Sequence, residues 1–198
     1  MDAGREDPTE SLSDEILVEK SLISQVFFAQ LVCRYQQKLL RYIQKISSVP
    51  LQEAEDLLQE AFIKAYLHLN DFDPQLSFSS WMYRITRNHV ISHHRKRVLR
   101  PEAHAADMDD DAWEHLASHL DPRKDADDAQ LREAVGRVFD HMEERYREVL
   151  VLKFLEEKDY KEISDILQKP MGTVATFISR AKKQFQTKAR DLGIDFDL

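Results

Sequence analysis

Two stretches of this 198-residue chain carry cations with no acid among them. From Trp81 to Arg100 the basic residues are Arg84, Arg87, Arg95, Lys96, Arg97 and Arg100. From Ile178 to Arg190 they are Arg180, Lys182, Lys183, Lys188 and Arg190. Such runs offer fixed positive charge to a phosphodiester backbone, and the arginines add a planar fork that matches phosphate and guanine edges. Between them, Glu102 to Asp128 holds ten acids against Arg123 and Lys124. The formal net charge of −8 therefore conceals two basic segments separated by an acidic one. That distribution, unlike the total, points to nucleic acid.

Other chemistry finds less support. His89 and His93 are four apart, as are His115 and His119, a spacing that puts each pair on one helical face. No Glu motif or second cysteine completes a metal site, and His89, His93 and His94 are better read as adding partial charge or hydrogen bonds to the basic helix. Cys33 is the single cysteine, so no internal disulfide forms. There is no Gly-rich phosphate loop and no nucleophile elbow. The expectation is a non-enzyme with no catalytic residue, metal or cofactor. No run of about 18 apolar residues is present, and residues 1–15 lack the basic and apolar regions of a secretory signal. The reading is cytoplasmic, without membrane insertion.

The elements that must position these residues are helices. Four glycines and six prolines, with abundant Leu, Glu, Lys, Arg and Ala, favour helix throughout. Phe28, Leu31, Val32, Tyr35, Leu39, Tyr42, Ile43 and Ile46 recur at spacings of three and four, which predicts one long helix over 21–46. A second runs from about Leu51 to Asn70 with Leu58, Ala61, Phe62, Ala65 and Leu69 on its apolar face. Asp71 to Pro74 is a turn. A third spans Phe78 to Leu99, with Phe78, Trp81, Met82, Ile85 and His89 along one side. Pattern resumes at Leu131, Val135, Val138 and Met142 and again over 144–155. Asp159 and Glu162 can form a capping box on a short helix carrying Ile163, Ile166 and Leu167. After Gln168-Lys169-Pro170, a second stripe (Met171, Val174, Ile178, Phe185) marks a basic helix, making a helix-turn-helix. The outward side of that last helix is expected to show Thr173, Thr176, Phe177, Arg180 and Lys183. The fold class is all-α: an N-terminal helical bundle and a C-terminal helix-turn-helix domain joined by an acidic flexible linker. The expected divisions are a leader at 1–20, a first domain at 21–100, the linker at 101–130, a second domain at 131–193 and a tail at 194–198.

Several motifs in order resemble bacterial sigma factors. Ala54 to Tyr66 looks like their polymerase-binding helix, and Phe78 to Asn88 looks like their promoter −10 segment. Arg147 to Leu155, Tyr160 to Ile163 and Pro170 to Val174 are similar to the −35-binding domain. With only these two domains, the chain resembles the extracytoplasmic-function group, and the likeness covers roughly 21–190. It implies a sigma factor that binds core RNA polymerase and directs promoter recognition, DNA opening and transcription initiation. It also implies association with the nucleoid when in holoenzyme, and an anti-sigma factor as a candidate partner.

On that resemblance, Glu55, Asp56, Gln59, Glu60 and Ile63, opposite the apolar stripe, would contact the polymerase. Arg84, Arg87, Arg95, Lys96 and Arg97 would track single-stranded −10 DNA, with Asn88 as a hydrogen-bonding partner and Tyr83 beside it. The loop from Phe72 to Ser77 would hold a flipped base, while Trp81 could pack in the core or stack on a base. The recognition helix departs from the family pattern: Ala175 and Phe177 stand where basic residues are usual, and Gln168 replaces the turn glycine. The linker would thread a basic channel of the polymerase. A stand-alone helix-turn-helix regulator is the alternative, and it leaves the N-terminal basic helix and the Glu55–Glu60 motif unexplained. An adaptor that never touches DNA and a small metal-dependent enzyme are more distant.

Overall fold

A computed structural model describes residues 12–47, 49–74, 76–99 and 126–194. Of the expected linker, 101–125 lie outside the described residues, whereas 126–130 already form the start of a helix, and the tail from 195 on lies outside as well. Among the described residues there are eight α-helices and no strand: α1 (Asp14–Ser21), α2 (Val26–Ile46), α3 (Leu51–Leu67), α4 (Phe78–Leu99), α5 (Ala126–Asp140), α6 (Glu144–Leu150), α7 (Tyr160–Leu167) and α8 (Met171–Asp191). A 3-10 turn, Leu69–Asp71, closes α3. A π-helical turn, Val151–Leu155, extends α6.

The N-terminal half is built around α2, whose Leu31, Leu39, Tyr42 and Ile43 face inward and are buried. Its partners are Ala54, Leu57, Ala61 and Ala65 of α3, small or branched residues that let two helices approach closely, and Phe78, Met82 and Tyr83 of α4. Where one helix is predicted from residue 21, the structure has two, α1 up to that point and α2 after it. The second of the two, α2, keeps the predicted end but starts at Val26, and α1 lies in the stretch read as a leader except for Ser21. Ser13 caps α1 by accepting from the Ile16 amide, and Leu17, Val18 and Ser21 are buried against the bundle. Arg34 reinforces the contact with an ion pair to Asp14 at 2.7 Å. The signal was there, since a serine followed by Asp14 and Glu15 is a helix start.

The C-terminal half packs α6 and α7 against α8 around Val149, Leu150, Leu152, Ile163, Ile166, Val174, Ile178 and Ala181. Asp159 and Glu162 form the reciprocal capping box at α7. Gln168 ends that helix in the left-handed region at φ 55°. Replacing Asp159 with alanine removes the acceptor for the Glu162 amide. It is expected to lower unfolding free energy by about 1 kcal/mol in a denaturant titration. Met171, placed on the apolar stripe by its spacing, is instead 57 % exposed at the start of α8.

Candidate nucleic-acid and polymerase interfaces

The exposed faces of three helices carry the candidate residues. On α3, the inward stripe of Ala54, Leu57, Leu58, Ala61, Phe62 and Ala65 leaves Glu55, Asp56, Gln59, Glu60 and Ile63 exposed on the other side. Ile63 is 59 % exposed among these polar residues, and Tyr66 and Leu67 continue the apolar end of the ridge. A branched apolar side chain held in water beside carboxylates suits a protein interface. Glu60 also lies 3.0 Å from Nε2 of His89. His89 is buried and accepts from Lys64 at its other ring nitrogen. Burial and then the Lys64 charge lower its pKa, which keeps the ring neutral and ties α3 to α4.

Helix α4 divides into two halves. Its outer end presents Asn88, Arg95, Lys96 and Arg97 to solvent. Arg97 reaches Glu53 of α3 at 3.6 Å, a partly exposed pair of the kind that contributes little to stability. Its inner half is partly covered by the C-terminal domain. Arg84 and Arg87 are half-buried, and Arg87 makes a two-pronged ion pair with Glu148, Nε to Oε1 at 2.7 Å and Nη2 to Oε2 at 3.1 Å. Burial works to lower the Arg87 pKa, but the hydrogen bonds and charge of Glu148 outweigh it and leave it raised.

Three expected contact residues are placed differently by the structure. Tyr83 is buried, and its hydroxyl donates to Glu156 of the C-terminal half. Burial and the Glu156 charge push its phenol well above the ordinary range. Phe72 is buried too, its ring 5.4 Å from that of Trp81 and 5.7 Å from that of Phe78. It anchors the loop and does not line a base pocket. Trp81 belongs to the same aromatic cluster, which resolves its role in favour of core packing. Among the described residues of the loop, Asp73, Pro74, Leu76 and Ser77 are exposed.

Phe177 is the third correction. Its ring meets that of Tyr146 edge to face at 6.0 Å, and it packs on the core. Counting three on from Val174 and four back from Ala181 puts 177 on the apolar stripe, as a phenylalanine in a usually basic position signals. The outward ridge of α8 is Ala175, Thr176, Ser179, Arg180 and Lys183, all exposed, with Thr173 at its half-buried edge. The Thr176 hydroxyl donates to the Gly172 carbonyl at 2.9 Å. Replacing Arg180 with alanine is expected to weaken promoter binding by holoenzyme on all sequences alike. The slope of log affinity against log salt should then be shallower by about one. An unchanged slope would mean that this side chain meets no phosphate.

No group of three or more His, Cys, Asp or Glu that could hold an ion occurs among the described residues. No described helix is long and apolar enough to cross a membrane.

A helical bundle with a basic helix, linked to a helix-turn-helix domain, defines a DNA-binding transcription protein. Residues 31–100 match Sigma-70 region 2, and residues 132–185 match Sigma-70, region 4. The ECF RNA polymerase sigma factor SigW of Bacillus subtilis (strain 168) is 33% identical over 169 residues, covering 83% of this chain and 90% of that protein. The ECF RNA polymerase sigma-E factor of Escherichia coli (strain K12) is 32% identical over 191 residues, 93% of this chain and 98% of its own length. In three dimensions the chain is similar to CnrH, solved in complex with the cytosolic domain of CnrY. The TM-score is 0.64 at 23% identity, over 88% of this chain and 95% of that one. It is also similar to the sigma factor RpoE of Bartonella quintana, solved with the anti-sigma factor NepR. There the TM-score is 0.62 at 20% identity, over 82% and 96%. The chain belongs to the extracytoplasmic-function sigma factors of the sigma-70 family. It acts in transcription initiation, and the stand-alone regulator is set aside.

Proposed function

We propose that this sigma factor divides its work among the three exposed faces. Glu55, Asp56, Gln59, Glu60 and Ile63 of α3 dock on core polymerase. Ser77, Arg84, Arg87, Asn88, Arg95, Lys96 and Arg97 take the opened strand at −10. Thr173, Thr176, Arg180 and Lys183 of α8 read duplex at −35. Phe72 and Phe177 support the two DNA surfaces from beneath, and Tyr83 joins the −10 surface only where the C-terminal domain withdraws.

The observation that carries this reading is the separation of the faces. Glu55, Asp56, Gln59 and Ile63 of α3 and Asn88, Arg95 and Lys96 of α4 are separate sets of exposed residues on helices that adjoin where Glu60 meets His89 and Glu53 meets Arg97, so each set is open to a partner of its own. A bulky −35 contact is not needed for specificity. Thr176 and Ala175 present small apolar groups of the kind that meet thymine methyls. The chain works in the cytoplasm, with the nucleoid when bound to polymerase. An anti-sigma factor is a fitting partner, in keeping with the complex in which the Bartonella quintana neighbour was solved.

Photo-crosslinking groups at Asn88 and Arg180, in holoenzyme on promoter DNA, test the division. The first should crosslink near −10 and the second near −35. Exchange of the two positions, or crosslinks to polymerase alone, would overturn it.

A further inference from the structure

Between the two halves lies a recess of about 360 Å³, within the range of volumes that hold a small ligand. No residue of the α3 ridge or of the outward face of α8 lines it. Helix α2 gives it Tyr35, Lys38 and Arg41, three apart and therefore along one side of the helix. Helix α4 gives it Ser79 and Tyr83, and the turn after α6 gives it residues 155–158. That turn has a fixed shape. The π-helical turn Val151–Leu155 is followed by Glu157 in the left-handed region at φ 53°, which few residues other than glycine adopt. The Lys158 amide closes it by donating to the Leu152 carbonyl at 2.9 Å, and the Lys153 ammonium donates to the Lys158 carbonyl at 3.2 Å.

Three cations line the recess, and one of its two carboxylates is already engaged. Glu156 accepts from Tyr83. Burial holds its carboxyl above the usual range, while Tyr83 and then the charges of Arg41, Lys158 and Lys38 draw it down. All three cations therefore stand near the same point. Arg41 is half-buried, and among the described residues neither it nor Lys38 reaches a carboxylate at ion-pair distance. A half-buried guanidinium without a hydrogen-bonded anion is poorly compensated. Lys158 gives two of its three N–H bonds to Ser79 Oγ at 2.6 Å and Glu162 Oε1 at 3.4 Å, which leaves a third. Glu157 and Leu155 are exposed at the rim. Three cations around one point match the charge of a phosphate better than that of a carboxylate, and the arginine fork suits two phosphate oxygens. A nucleic-acid strand would need an extended basic track instead.

We propose that this recess binds a small phosphate-bearing molecule, its phosphate held between Lys38, Arg41 and Lys158. Glu157 accepts from hydroxyl groups of the same molecule, and Leu155 offers it an apolar face. The shared chemistry is phosphate, whether the source is an inorganic polyphosphate or a nucleotide. The site does not depend on the assignment of α4 to −10 DNA.

Isothermal titration calorimetry of the full chain with inorganic pyrophosphate and with adenosine diphosphate tests the site, with sulfate at matched ionic strength as the control. Saturable binding of at least one probe is expected, with no saturation by sulfate over the same range. Arg41→Gln should weaken that binding by about tenfold or more, since it removes charge-assisted hydrogen bonds. Lys38→Gln should weaken it too. Lys38 is exposed, so this second variant keeps the test sound should Arg41→Gln loosen the fold. Bound probe should also raise the unfolding midpoint of the parent but not of Arg41→Gln. Equal or tighter binding of pyrophosphate assigns the site to phosphate alone, and tighter binding of adenosine diphosphate assigns it to a nucleotide. No saturation by either probe would overturn the proposal, as would equal saturation by sulfate or titrations that both substitutions leave unchanged. So would a single-stranded oligonucleotide that binds through Lys38 and Arg41 where neither probe does.

Discussion

Promoter opening by the reconstituted holoenzyme falls by at least a hundredfold when Arg84, Arg87 and Asn88 are replaced together by alanine. A good base contact is worth about 1–3 kcal/mol, and loss of two at about 1.4 kcal/mol each already gives that factor. Permanganate footprinting of the opened strand reads the effect directly. Asn88 is exposed and its replacement leaves the core untouched, so the Asn88→Ala single variant isolates the DNA term. Arg87→Ala also removes the partner of Glu148, and its unfolding is measured alongside to separate lost contact from lost packing. Full opening by the triple variant would remove α4 from the account.

Affinity for core polymerase drops by about thirtyfold or more when Asp56, Gln59 and Ile63 become alanine. A single interface residue at a packed centre commonly contributes about 2 kcal/mol, and Ile63 has the apolar surface to be one. All three are exposed on α3, and alanine is the strongest helix former, so the helix keeps its content. Circular dichroism should overlay the parent while polymerase pull-down fails. Unchanged pull-down would mean that the ridge is an ordinary solvated face.

What could be read from the sequence follows the range of the interactions involved. Helix α4 appears over the span that its periodicity predicts, Phe78 to Leu99. The capping box at Asp159 and Glu162 is a four-residue signal, and it forms as expected. The ridge on α3 is legible because a buried stripe at i, i+3 and i+4 fixes its opposite face. Phe177 packs inward, against its expected outward placement and in agreement with the same counting. At this position the departure from the family pattern is a change of packing against Tyr146. Tyr83 and Arg87 are a different case. Their partners Glu156 and Glu148 lie 73 and 61 residues away, in another domain, and no local pattern announces such a pairing. Phe72 lies between: a lone aromatic in a turn fits both a base pocket and an anchor, and only the rings of Phe78 and Trp81 around it decide. Helix α1 was within reach from Ser13 and the acids after it, but an acidic, polar stretch before it drew the boundary too late.

The account stands on the claim that this chain gives core polymerase a promoter to start from. In vitro transcription with purified core enzyme and a promoter library measures that directly. The predicted result is that core enzyme alone yields no specific start, and that adding the chain yields transcripts from a subset sharing one −35 and one −10 sequence at fixed spacing. Stable binding of the chain to promoter DNA without polymerase, together with no specific transcript in its presence, would contradict it.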